Sequence, residues 1–149
     1  MAMARLPQDF REFLKLLEDE KVNYILIGGY AVGCYGYPRA TADMDVWTEV
    51  SRGNAARTVT VLRRFGMDVP DLSLEMFLER DKVIRMGVPP VRIELHTGIS
   101  GVEFSACYGR CQRVDFDGVE VNLIGLDDLK SNKHASGRRR DLEDLDHLP

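Results

Sequence analysis

The chain has few cysteines, no long apolar run and no excess of positive charge. Its three cysteines, Cys34, Cys107 and Cys111, are odd in number and form no C-x-x-C pair. Cys107 and Cys111 stand one helical turn apart, a spacing that admits a metal or disulfide role, but small core or surface thiols are the better reading. No apolar stretch approaches the ~20 residues that span a bilayer. The N-terminus shows neither the apolar segment nor the cleavage site of a secretion signal, so the expectation is a cytoplasmic protein without membrane contact. The net charge of −4 argues against a generic nucleic-acid coat and leaves room only for a local basic site. Repeats, low-complexity tracts and linkers are also missing.

What is present is ordinary globular composition, 44% apolar and 30% charged. A length of 149 residues suits one domain over 1–149, by the prior of roughly 100–200 residues each. Phe10, Phe13, Leu14 and Leu17 recur at helical spacing and predict a helix over Pro7 to Glu20. Tyr24 to Ile27 is wholly apolar and predicts a buried strand, ended by Gly28-Gly29. A short helix over Tyr30 to Tyr35 and a strand over Thr41 to Trp47 follow. Further helices are expected over Ser51 to Phe65, Leu72 to Leu78, Glu103 to Arg110, Leu126 to Ala135 and Arg139 to His147. Strands are expected over Lys82 to Met86 and Val91 to Leu95, separated by a turn at Gly87-Val88-Pro89-Pro90. A hairpin of Arg113 to Phe116 and Val119 to Leu123 closes on Asp117-Gly118, a type I′ signal. This order predicts an α/β protein, a mixed sheet with helices packed on it. Strands joined through a helix are expected to pair in parallel.

The segment from Gly28 to Trp47 carries the chemistry. Glycines between a strand and a helix let backbone approach a phosphate chain, and the helix start offers free N–H groups. Asp43 and Asp45 are two apart in a strand and so point to one side, while Met44 and Val46 point to the other. Two carboxylates on one face repel each other unless a cation or arginine sits between them, so the pair is a candidate divalent-metal site, the alternative being an edge strand with its polar face in water. Trp47 and Tyr30 suit core or rim positions.

These pieces resemble the DNA polymerase β-like nucleotidyltransferase superfamily. The resemblance rests on the Gly28-Gly29 turn, the strand Ala42-Asp43-Met44-Asp45-Val46, and an acidic residue on a later strand, here Glu94 in Val91-Arg92-Ile93-Glu94-Leu95. Within it the chain is most similar to the small bacterial members related to AbiEii-type nucleotidyltransferase toxins. Ile124 to Lys133 followed by Arg138-Arg139-Arg140-Asp141-Leu142 is similar to their lysine and Arg-x-x-Asp block. The run Arg39-x-Thr41-x-Asp43-x-Asp45 also resembles aminoglycoside nucleotidyltransferases. The third carboxylate of the family is usually Asp, and Glu94 shifts its oxygens by about one C–C bond, ~1.5 Å, a scale to which such chemistry is sensitive.

The resemblance implies a nucleotidyltransferase fold and transfer of an NMP from an NTP to a hydroxyl. The acceptor would be an RNA end, a protein or a small molecule, in a setting that can include an antitoxin protein. It implies Mg²⁺ or Mn²⁺ held by Asp43, Asp45 and Glu94, with Glu94 also acting on the acceptor. Gly28, Gly29, Arg39, Thr41 and Lys133 would contact the nucleotide, helped by Arg138 to Arg140, whose alternative is a solvated face balanced by Asp141, Glu143 and Asp144. His96 shares the face of Glu94 and is read first as a structural hydrogen-bonding residue. Two other readings stand beside transfer: a catalytically weak nucleotide- or RNA-binding module of the same fold, and a metal-dependent phosphodiesterase.

Overall fold

The computed structural model describes residues 6–68, 70–88 and 90–149. In chain order the elements are α1 (Gln8–Asp19), β1 (Tyr24–Ile27), α2 (Gly28–Cys34), β2 (Asp43–Thr48), α3 (Arg52–Phe65), a 3₁₀ turn (Leu74–Phe77), β3 (Val83–Val88), β4 (Val91–His96), α4 (Phe104–Arg110), β5 (Gln112–Phe116), β6 (Val119–Leu123), α5 (Leu126–Ser136) and α6 (Arg139–His147). The strands form one six-stranded sheet in the order β3-β4-β2-β1-β6-β5. β2 pairs β4 in parallel and β1 pairs β6 in parallel; the other neighbours are antiparallel.

The apolar stripe of α1 is buried as its spacing predicts, with Phe10, Phe13, Leu14 and Leu17 all out of solvent. They share one core with Met44 and Val46 of β2, Ile93 and Leu95 of β4, and Val59 and Leu62 of α3. Each such side chain contributes roughly 1.5–3 kcal/mol by leaving water. Trp47 and Tyr30 are core residues. Asn54 is the polar anchor of this core. Its Oδ1 accepts from the Asn23 amide at 2.7 Å, and its Nδ2 donates to the carbonyls of Asn23 and Glu49. A buried amide so fully satisfied fixes α3 against the ends of β1 and β2. Asp117 and Gly118 both have positive φ, +52° and +88°, as a type I′ hairpin requires.

Four expectations change. β1 and β2 are joined through α2 yet run antiparallel, with Ile27 opposite Asp45. The reason is local: after α2 the chain returns to that helix's own start, where Thr41 lies against Gly29. It therefore re-enters the sheet at the end where β1 left it. The glycine pair is the first two residues of α2 rather than a turn ahead of it. Leu72 to Leu78 forms only the single 3₁₀ turn. β3 continues through Gly87 and Val88, so the turn before β4 is shorter than expected, and its Pro89 lies outside the described residues. Among the described residues no helix is long and apolar enough to cross a membrane. The three cysteines are free, with Cys107 buried.

Candidate active site

The parallel register of β2 and β4 sets the site. Asp43 stands opposite Arg92, Asp45 opposite Glu94, and Trp47 opposite His96. β3 adds Arg85 opposite Glu94. Alternation then sends Asp43, Asp45, Arg92, Glu94, His96 and Arg85 to one face, away from the core residues Met44, Val46, Ile93 and Leu95. That face floors a cleft of about 620 Å³. Gly28, Gly29, Arg39 and Thr41 line it from the α2 side, and Lys133, Arg138 and Arg140 from the α5–α6 side. At the far end of the face Trp47 is covered edge-on by Phe104 of α4, with ring centres 5.2 Å apart.

The structure thus gathers every predicted site residue except Arg139 round one cleft, but it gives them different neighbours. Asp43 accepts from Arg92 Nε and Nη2, at 2.9 and 2.8 Å. This fork holds its carboxyl below the usual carboxylate range. Asp45 instead faces His96, whose Nε2 is 2.9 Å from Oδ1. Glu94 accepts from Arg85 Nε at 2.9 Å, and its other oxygen lies 3.8 Å from His96 Nε2. Burial pushes the Glu94 carboxyl up, and the adjacent Asp45 carboxylate adds to this against the pull of Arg85. A raised carboxyl is a stronger base than an ordinary one.

Gly28 is required where it stands. Its φ is +71°, and a Cβ there would collide with Asp45 Oδ2. A Cβ on Gly29 would come within 2.8 Å of Thr41 Oγ1. The bare backbone at 28–29 therefore lets Asp45 and Thr41 pack directly against it at the edge of the cleft.

The donors in this space suit a divalent cation. Asp45, Glu94 and His96 each offer one ligand atom, and the three atoms lie within 4.8 Å of one another. They are the one such group of three among the described residues. Asp43 is outside it, turned to Arg92.

On the opposite wall, Lys133 is buried and lies 3.2 Å from Asp141 and 3.0 Å from Asp144. Arg39 holds Asp144 by two hydrogen bonds at 2.8 and 2.9 Å, and Arg138 lies 2.8 Å from Asp141. Asp141 also caps α6 by accepting from the Arg138 amide. The two aspartates are wholly buried. This corrects the alternative reading that placed Asp141 and Asp144 on a solvated helix face: each is matched by two cations. Lys133 and Arg39 reach the cleft wall with their charge already partnered, and Arg138 and Arg140 remain exposed at its rim.

Sequence reasoning did not single out Arg85, and it quoted Arg92 only as a member of the strand that carries Glu94. The alternation Arg92-x-Glu94-x-His96 was the available signal, because it puts three chemically active side chains on one strand face. The pairing of Arg85 with Glu94 depends on register and could not be read from spacing.

No protein-family model and no curated protein sequence matches this chain. Among solved structures it is similar to one from Thermotoga maritima described as a "putative nucleotidyltransferase", with a TM-score of 0.61 and 16% identity. The likeness covers 99% of this chain and 97% of that one. At this identity it is a likeness of fold, and it spans nearly the whole of both chains.

Proposed function

We propose that the protein is a metal-dependent nucleotidyltransferase, which moves an NMP from an NTP to an acceptor hydroxyl and releases pyrophosphate. The observation that carries this is the row Asp43, Asp45, Glu94 facing a glycine-lined opening at Gly28-Gly29, with arginines at the rim. The shared fold supports it. The nucleotide's phosphates would enter beside the open backbone of Gly28 and Gly29, where Thr41 lies against Gly29. Arg138 and Arg140 at the rim would meet their negative charge, while Lys133 and Arg39 hold that wall in place. Glu94 would take the acceptor's proton as the acceptor oxygen bonds to the α-phosphorus and the bridge to the β-phosphate breaks. A divalent ion held by Asp45 and Glu94, with Asp43 joining when Arg92 lets go, would supply charge neutralisation on the phosphates.

The acceptor would be an RNA end, a protein or a small molecule. By the AbiEii-like tail, a toxin–antitoxin setting with an antitoxin partner is part of the proposal, in the cytoplasm, where NTPs are available. A second reading has one observation in its favour. Arg92 and Arg85 already neutralise Asp43 and Glu94, so the row can stand without an ion, as a nucleotide- or RNA-binding module would need.

Release of pyrophosphate from a panel of NTPs with Mg²⁺ or Mn²⁺ separates the two. Glu94→Gln is expected to slow transfer by ~10²–10⁴ with NTP affinity nearly intact, the usual scale for losing a general base. Wild-type turnover in that variant would remove Glu94 from proton transfer. No turnover in the wild type with any of the three acceptor classes would favour the binding module.

A further inference from the structure

We infer that the resident ion of this cleft is a nitrogen-ligated transition metal, bound by Asp45, Glu94 and the imidazole Nε2 of His96, rather than a magnesium ion held by the aspartate pair. The inference deepens the metal-dependent reading above and rests on it.

Three observations converge. The first is where the second aspartate goes. Asp43 accepts from both Nε and Nη2 of Arg92 in the bidentate geometry that makes the strongest such pairs. Asp45 has no lysine or arginine partner among the described residues; its one ion-pair contact is His96. The strand's two carboxylates are thus divided: Asp45 is open to an ion, and Asp43 is not while Arg92 holds it.

The second is the donor set itself. Asp45 Oδ1 and Glu94 Oε2 both lie near the same ring nitrogen, at 2.9 and 3.8 Å. An ion placed among the three would replace a proton between groups that already converge. Glu94 keeps its other oxygen on Arg85. A carboxylate has about four lone-pair sites, so Glu94 can hold an ion on one oxygen and keep Arg85 on the other.

The third is the opening. Gly28 packs its bare backbone against the Oδ2 side of Asp45, and both line the open cleft together with Glu94 and His96. Further ligands, whether water or phosphate oxygens, can reach the ion from there.

Two carboxylates and one imidazole form a mixed oxygen and nitrogen set. Magnesium prefers oxygen ligands and retains its waters, whereas imidazole suits Zn²⁺, Co²⁺ and related ions. Affinity in such a set rises from Mn²⁺ to Co²⁺ and beyond. The site should therefore discriminate through His96.

The test uses the full chain stripped with a chelator. Mg²⁺, Mn²⁺ and Co²⁺ are titrated by calorimetry, and electron spin-echo spectra are recorded on bound Mn²⁺. The wild type should bind Co²⁺ at least about tenfold more tightly than Mg²⁺ and show nitrogen modulation on Mn²⁺. His96→Gln retains a polar side chain against Asp45, so it should fold. It should lose the nitrogen signal and about 10–100-fold in Co²⁺ affinity, the scale on which even outer partners of a metal ligand act. His96→Ala, checked by its melting curve, should behave alike. Bound Mn²⁺ without nitrogen modulation, or modulation that persists in His96→Gln, overturns the inference. The two readings fail separately. A wild type that carries the His96-dependent ion but releases no pyrophosphate sinks the transfer reading alone. One that transfers with Mg²⁺ while Mn²⁺ shows no nitrogen sinks the histidine site alone.

Discussion

Two clusters of charge face each other across the cleft, and they are balanced in opposite ways. On the α5–α6 wall, Asp141 and Asp144 meet Lys133, Arg39 and Arg138 at 2.8–3.2 Å, and the two aspartates and the lysine are buried. On the strand floor, Asp43, Asp45 and Glu94 are all part-exposed, and Asp45 and Glu94 crowd one another. The wall has cations enough for its carboxylates. The floor has one carboxylate without an arginine. A cluster with every charge matched holds a structure together; a cluster left short of cations is suited to receive one. The same residue types therefore serve stability on one side and ligand binding on the other.

The largest test of this contrast is on the wall. Asp144→Ala removes the carboxylate that Arg39 and Lys133 share. It leaves a buried ammonium with only Asp141, which Arg138 also claims. Breaking such a pair from one side typically costs about 3–5 kcal/mol. Urea denaturation should show that loss, and a cost below about 1 kcal/mol would mean that water repairs the gap and the wall is not a structural unit.

Acid should separate the clusters next. Burial pushes Asp141 up, but hydrogen bonds from Arg138, Ser136 and Lys133 outweigh it and hold its carboxyl well below the ordinary range. Asp144 is likewise raised by burial and brought lower by Arg39 and Lys133. Both pKa values are thus depressed on folding. Their stabilisation is fully present above the unfolded value of about 3.9 and is lost as pH falls below it toward the folded values. Each group contributes a slope of at most about 1.4 kcal/mol per pH unit in that window. Glu94 works in the other direction: its folded pKa is raised, so protonation relieves a cost rather than removing a gain. Chemical denaturation below about pH 4 should show wild-type stability falling, with a shallower fall in Asp144→Asn. Equal slopes in the two proteins would take Asp144 out of the acid response.

Much of the fold was legible because local signals and tertiary packing agree. The α1 stripe, the apolar run of β1 and the Asp117-Gly118 hairpin are set by period and turn chemistry, and tertiary structure follows them. The antiparallel return of β2 was not legible, because it depends on where Thr41 packs against Gly29 rather than on any pattern along the chain. At the site, alternation placed Asp43 and Asp45 on one face. It could not show that Arg92 takes one of them and His96 the other, since that choice is made by the register between β2 and β4. Nor could it tell Asp141 and Asp144 from surface acids. Their spacing of three on a charged helix reads as solvated, and only the buried Lys133 of the preceding helix makes them core.

The smallest expected effect lies on the floor, and it is the one most diagnostic of what the floor is for. Asp45→Asn removes a charge that stands beside Glu94 and helps to raise its carboxyl. The amide retains an oxygen to accept from His96, and no lysine or arginine loses its partner. Relief of like-charge repulsion should then equal or exceed what the lost contact costs, and the ion-free variant should be as stable as the wild type or slightly more so, within the ~0.5 kcal/mol typical of sites that hold nothing together. Melting curves in chelator make the measurement, and repeating them with a divalent ion should show stabilisation in the wild type alone, because an ion that binds only the native state raises its stability by mass action. A loss above about 2 kcal/mol without ion would instead mark Asp45 as part of a structural network, and the contrast between wall and floor would be gone.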